Sequence, residues 1–332
     1  MSEYAFLFAK IRGKLAKMVE LAAYEELLRG AGADQVIERL RETPYGAHLG
    51  EGAPDRVADR LLRGLFAEVT DLLFVLDGRD RALIEDVMAK YRLENVKALL
   101  RGYIHRLPPE EVQPHLLELP WEEARAKVDW GRLSRLGGLE AFIKELPWRE
   151  WRARLEVVFG QVGEVDNPFP YEAELDSLYL ERLLARRQER KEPGVKAILG
   201  NRLLKELVLW GYRLRGYGRS FPEIVTILPD FRSLIPLEEM QAILEEEGGW
   251  RRLARWLSLS PPAAERLRRA EEKEEPDLGM LSQLFDEELI RQVKRLLLMG
   301  TMDIAIVIGY IYWKELEVRG LIQLVERART RG

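Results

Sequence analysis

The hydrophobic residues of this chain fall at helical spacing. Phe8, Ile11, Leu15, Met18 and Val19, then Tyr24, Leu27 and Leu28, recur three and four positions apart and define one apolar face. Residues 3–29 therefore predict one helix or two abutting ones. Gly30 and Gly32 break the pattern, Asp34 is a candidate N-cap for residues 35–42, and Thr43-Pro44-Tyr45-Gly46 reads as a stop and turn. Long helices are predicted from Asp55 to about Asp77, from Arg81 to about Leu107, over 172–192 and over 195–215. A last pair covers 286–329 and turns near Gly300. Val157 to Phe159 and Ile224 to Leu228 have strand-like composition but are too short and isolated to build a sheet. The pattern predicts an all-α fold.

The same pattern repeats. With Tyr24, Trp130 and Met240 in register, Leu27, Leu133 and Ile243 follow, then Gly32, Gly138 and Gly248, then Ile37, Ile143 and Leu253, and last Leu40, Leu146 and Trp256. Each copy reads as a short helix, a glycine break and a second short helix, and the fixed glycine is the informative element because it marks a turn. A second block, Leu100-Arg101-Gly102-Tyr103, recurs as Leu214-Arg215-Gly216-Tyr217, and each is followed by a proline-led helix start. At Ser220-Phe221-Pro222-Glu223 that start has capping-box spacing. These repeats predict three domains: residues 1–54 with 285–332 as one split unit, 55–165, and 166–284. The C-terminus would then close a ring with the N-terminus.

Length and composition narrow the class. With 332 residues and 47% hydrophobic content a sizeable core is available. Arg outnumbers Lys 39 to 13, there are three Asn and no Cys, and 33% of residues are charged, the profile of a thermophile. Absence of cysteine excludes disulfides, thiol catalysis and thiolate metal sites. A net charge of −4 gives no global basic field for nucleic acid. The opening MSEYAFLFAKIRGKLAKMVE carries charges throughout and shows no cleavage site, so no secretory leader is expected. The most apolar stretch, LLLMGTMDIAIVIGYIYW from Leu296 to Trp313, is split by Asp303 and reads as a buried helix rather than a membrane span.

No catalytic constellation emerges. His48, His105 and His115 stand in no metal spacing, and neither a P-loop nor a nucleophile elbow occurs. Gly30-Ala31-Gly32 follows a helix and lacks a third glycine, so it is not a dinucleotide fingerprint. Asp77 and Asp80 flank a turn without forming a metal-binding pair. Arg251 and Arg252, between Trp250 and Trp256, and the Arg186-Arg187 and Arg190-Lys191 cluster have Glu neighbours and read as ion-paired helix faces. No catalytic, cofactor or metal residues are therefore assigned. The candidate partner contacts are Trp148, Trp151, Phe169, Tyr171, Arg251 and Arg252. Core packing is the ordinary role of such aromatics, and any that are exposed together would anchor an interface.

Four segments carry a resemblance over essentially the whole chain. They are Tyr4 to Leu15 with Ile11-Arg12-Gly13-Lys14-Leu15, the stop Leu40…Thr43-Pro44-Tyr45-Gly46, Leu93-Glu94-Asn95-Val96-Lys97-Ala98-Leu99-Leu100-Arg101, and Lys314-Glu315-Leu316-Glu317-Val318-Arg319. In this order they resemble the C subunits of the bacterial and archaeal V-type (A-type) ATPases, the counterparts of the eukaryotic V-ATPase d subunit. Gly320 departs from the Asn often found there. The resemblance implies three similar helical domains arranged as a funnel with pseudo-threefold symmetry, and a non-catalytic rotor component. Such a component is a socket between the membrane ring of proteolipid subunits and the central stalk made of the D and F subunits, serving ATP synthesis or hydrolysis coupled to ion transport. It needs no cofactor and would lie on the cytoplasmic side of the plasma membrane. The competing expectations are a helical-repeat adaptor of another complex, and an all-helical enzyme, which requires a pocket of convergent ionisable groups.

Overall fold

The structure is a computed structural model that describes residues 3–50, 56–121, 128–246, 249–257, 261–271 and 278–330. Among these residues every regular element is helical. In order they are α1 (Glu3–Leu15), α2 (Leu21–Leu27), α3 (Ala33–Arg41), α4 (Gly46–Leu49), α5 (Val57–Leu73), α6 (Gly78–Ile104), α7 (Pro109–Val112), α8 (Trp130–Leu133), α9 (Leu139–Glu145) and α10 (Arg149–Val162). Then come α11 (Phe169–Glu189), α12 (Pro193–Gly216), α13 (Phe221–Ile227), α14 (Leu237–Glu245), α15 (Gly249–Trp256), α16 (Pro261–Glu271), α17 (Leu278–Leu298) and α18 (Ile304–Arg329).

The chain divides into two compact units. One comprises Met1–Ile84 with Leu289–Gly332, and the other Glu85–Glu288. The first is organised around α18, against which α1, α2, α3 and α5 pack. The apolar stretch around Tyr310 supplies this axis: Ile304 to Tyr312 are all buried. Asp303 starts the helix by accepting the Ala305 N–H at 2.8 Å, so the residue that interrupts the apolar run in sequence is its N-cap. Arg327 and Arg329 occupy the last turn, where cations suit the carbonyl end of the helix. No helix among the described residues is long and apolar enough to cross a membrane.

In the second unit α10, α11 and α12 pack in succession, and the short helices α13 and α14 close over α12. The paired short-helix blocks appear where the repeat places them. Gly138, with φ of 136°, opens α9, a conformation that favours glycine. In the first copy the demand falls on Gly30, with φ of 86°, two residues before the matched Gly32, which is itself the N-cap of α3 in place of Asp34. Gly248 lies outside the described residues. Ile37, Ile143 and Leu253 are buried at equivalent positions, whereas Trp256 keeps 42% of its surface. The charged segment Pro261–Glu271 forms α16, which packs on α15 and buries Leu267. The Ser220 start is capped as expected: Glu223 accepts hydrogen bonds from the Ser220 N–H (2.8 Å) and hydroxyl (2.7 Å).

The second repeated block has a different register from the one its letters suggest. Tyr103 donates its hydroxyl to the Leu136 carbonyl at 2.6 Å and stacks on Phe142. The residue in the corresponding role on α12 is Tyr212, which donates to the Ile243 carbonyl at 2.7 Å and meets Trp250 edge-on. Tyr217 is 80% exposed. The repeat unit is thus Gly102-Tyr103 and Gly211-Tyr212. A third member is Gly320 on α18, which completes a constant interval of 109 residues. At each of these glycines a short helix comes too close for a side chain. A Cβ would lie 3.0 Å from the Trp130 ring at Gly102, 2.7 Å from Leu244 at Gly211 and 2.5 Å from Leu21 at Gly320. The Gly320 departure therefore has a packing reason: α2 crosses α18 there.

Candidate functional site

Three buried lysines among the described residues recur at nearly the same interval. Lys205 and Lys314 both stand six residues before a crossing glycine, and Lys97 stands five before. All three are buried, and each reaches an acid on another long helix. Lys97 on α6 meets Asp176 on α11 at 2.5 Å, and Lys205 on α12 meets Asp286 on α17. Lys314 on α18 lies 3.6 Å from Glu68 on α5. A buried ammonium without such a partner would be strongly destabilising, so each pair fixes which two long helices can lie side by side. Burial pushes the Asp176 carboxyl upward, against the opposing pull of Lys97.

The Lys314 site is the most elaborate. Its ammonium also meets Glu317 at 2.8 Å and lies 4.4 Å from the centre of the Tyr45 ring. Glu317 accepts the Tyr45 hydroxyl proton at 2.9 Å on one oxygen and the Val19 N–H on the other. Glu68 accepts from the Tyr310 hydroxyl and is approached by Lys14 at 3.3 Å. One network thus joins the segment after α1, the Tyr45 turn, α5 and α18. Residues far apart in sequence, Tyr45 of the Thr-Pro-Tyr-Gly stop and the Lys314–Glu317 turn of α18, meet around one buried charge cluster. The Leu93 to Arg101 segment is similarly employed. Asn95 exchanges two hydrogen bonds with the Leu117 backbone (2.8 and 2.7 Å), and Arg101 pairs with Glu172.

Burial, and next the carboxylates they donate to, raise Tyr45 and Tyr310 well above the ordinary phenol range. In the unfolded chain both ionise near pH 10. Their contribution is therefore fully present below about pH 10 and is lost as the pH rises further. Denaturant unfolding followed from pH 8 to 11 should show stability falling above pH 10 by about 1.4 kcal/mol per pH unit for each tyrosine. Tyr45→Phe and Tyr310→Phe should each flatten that slope, even where they lower stability at neutral pH.

The other unit holds a comparable cluster: Asp86, buried on α6, accepts from both Arg182 and Arg186 on α11. An open cleft of about 920 Å³ in the same unit is lined among others by Tyr103, Arg106, Leu136 and Glu164. Two of its polar side chains, Tyr103 and Glu164, are engaged by the chain's own backbone. The Tyr103 oxygen also accepts the Gly138 N–H, and Glu164 accepts the Leu139 N–H. Among the described residues no group of three or more His, Cys, Asp or Glu is placed to hold a metal ion.

The structure separates the six residues singled out from sequence. Trp148, Trp151 and Tyr171 are buried, and Tyr171 donates to the Gly163 carbonyl at 2.6 Å, so these three hold the chain's own packing. Core packing, the ordinary role of such aromatics, is the role these three have. Phe169 is 39% exposed. Arg251 is exposed, and Arg252 pairs with Glu239 and Glu246 at 3.3 and 3.0 Å. The six do not form one surface cluster. The residues that sequence reading missed are Lys205, Glu68, Asp86 and Asp286. Two of the three buried lysines could have been found from the shared Lys-Glu-Leu at 205–207 and 314–316, each six residues before a glycine.

These features define an all-helical repeat protein whose buried charges bind long helices to one another. The chain belongs to the family of ATP synthase (C/AC39) subunits, whose model matches residues 7–331. It is 24% identical to the A-type ATP synthase C subunit of Thermococcus kodakarensis over 97% of this chain and 86% of that protein. It is 25% identical to the A-type ATP synthase C subunit of Methanocaldococcus jannaschii over 55% of this chain and 46% of that protein. With the V-type ATP synthase C subunit of Thermus thermophilus it shares 32% identity over 33% of this chain and 34% of that protein.

Proposed function

We propose that this chain is the non-catalytic socket of a rotary ATPase, transmitting torque between the membrane ring of proteolipid subunits and a central stalk made of the D and F subunits. It would sit peripherally on the cytoplasmic face of the plasma membrane and use no cofactor. The observation that carries the reading is the threefold recurrence of a glycine crossing and a buried lysine–acid pair between long helices. The third pair, Lys314 with Glu68, joins the C-terminal helix to an N-terminal one. That recurrence supports a funnel of three similar domains, 1–54 with 285–332, 55–165 and 166–284, closed on itself. A part that transmits torque must resist shear, and ion pairs fixed between long helices supply that stiffness. Of the surface candidates, Phe169, Arg251 and Arg252 remain as contacts for a partner, where charges steer docking and fix its register.

Coupling is the property to measure. In membranes stripped of this protein, ATP hydrolysis should persist in the detached catalytic sector while ATP-driven ion pumping is lost. Adding the purified chain back should restore pumping. Pumping that survives complete removal of the chain would refute the socket reading.

A further inference from the structure

One end of the α18-centred unit carries a concentration of exposed apolar side chains. Phe74 follows α5 and is 91% exposed, and Leu298 and Met299, at the end of α17, are 88% and 70% exposed. Met302, just before α18, is 53% exposed. They belong to one end because α5 and α18 run antiparallel. Tyr45 lies beside Gly64 and contacts Lys314 and Glu317, while Glu68 meets Tyr310. Six residues further along α5 and six residues back along α18, roughly 9 Å in each case, the helices end together at Phe74 and Ile304. The α17–α18 turn lies at the same level.

Cations stand behind this tip. The exposed face of α17 runs through Lys294 and Arg295 one turn before Leu298 and Met299. Lys294 is held over the Trp313 ring at 5.4 Å, which keeps its stem along the protein. Arg79, exposed in the first turn of α6, adds a third cation. The acids at this end are largely committed: Asp303 caps α18, and Asp71 binds Lys10 at 2.7 Å and Lys14 at 3.1 Å. Asp77, Asp80 and Asp303 keep their negative charge, and Arg81, bonded to the Leu73 carbonyl at 3.0 Å, adds a cation, which leaves a small positive excess.

We propose that this tip inserts into the interface of an anionic lipid bilayer. Phe74, Leu298, Met299 and Met302 would enter the boundary between headgroups and acyl chains, while Lys294, Arg295 and Arg79 meet lipid phosphates. A large apolar group with cations about one helical turn behind it matches the depth of that boundary, and flexible methionines adapt to a fluid surface. A protein groove would not require the cations to follow the apolar tip by one turn. The proposal does not depend on the rotor reading.

The test is co-sedimentation of the full chain with vesicles of phosphatidylcholine alone or mixed in equal parts with phosphatidylglycerol. The wild-type chain should bind the mixed vesicles, release them as salt is raised, and ignore the neutral ones. The triple variant Phe74→Ser, Leu298→Ser, Met299→Ser should bind at least about tenfold more weakly. Lys294→Gln and Arg295→Gln should each cost about fivefold. These side chains are exposed, so thermal melting should not change, which separates lost binding from lost fold. A folded, monodisperse wild-type chain that ignores the anionic vesicles overturns the proposal, as does a triple variant that binds them undiminished. If the triple substitution instead abolishes binding to a detergent-solubilised proteolipid ring while vesicles are ignored, the tip is a protein contact and the lipid assignment is wrong.

Discussion

Replacing Lys314 with methionine will lower the unfolding free energy by about 3–5 kcal/mol, the usual cost of removing one partner from a buried charge pair. The side chain is 3% exposed and Glu317 2% exposed, so neither can turn to water without unpacking α18. Methionine fills the volume but leaves Glu317 with the Tyr45 hydroxyl and the Val19 N–H against a full negative charge, and Glu68 loses one of its cations. The loss is therefore electrostatic rather than a cavity. Adding Glu317→Gln to Lys314→Met should recover part of the stability, because the uncompensated charge disappears while the hydrogen bonds largely remain. Urea unfolding of the three variants separates the cases. If Lys314→Met costs less than about 1 kcal/mol, the value of an exposed pair, the cluster is not the clamp described.

The second large effect is expected at Gly102. A valine there would put its Cβ 2.6 Å from Val112 Cγ2 and 3.0 Å from the Trp130 ring. The indole cannot swing aside. It is 2% exposed and packs edge-on against Phe142, which in turn stacks on Tyr103. Overpacking against so rigid a neighbour should cost about 2–3 kcal/mol. Gly216 is the control, since it sits in the same Leu-Arg-Gly-Tyr tetrapeptide with no heavy atom within 4 Å of its would-be Cβ. Gly216→Val should stay within about 0.5 kcal/mol of the parent. Equal effects at the two sites would mean that the tetrapeptide, not the helix crossing, sets the requirement.

That pair of glycines also marks how far the sequence could be read. The long helices were legible because their apolar spacing and their Gly and Pro boundaries are local signals. α11 and α12 begin two or three residues from the expected positions. The repeat was legible as well, but matching letters placed its second block at Gly216, whereas packing places it five residues earlier at Gly211. What a glycine is needed for depends on the helix crossing it, and that helix lies about 30 residues further on or, for Gly320, near the other end of the chain. The buried lysines were hidden for a related reason. In one helix Lys205 or Lys314 reads as a solvent-facing residue, and only the acid on a second helix makes its burial possible. Trp151 and Tyr171 were interface candidates only if exposed, and their burial gives them the core role that is ordinary for such aromatics.

The socket reading is tested most directly by mixing the purified chain with a co-expressed D–F stalk pair and measuring mass by light scattering after gel filtration. The predicted result is a stable complex containing one copy of each of the three chains, formed at low salt and weakened as salt rises. If the chain and the stalk pair, both folded, elute separately at low salt, the claim that this protein receives a rotary stalk is contradicted.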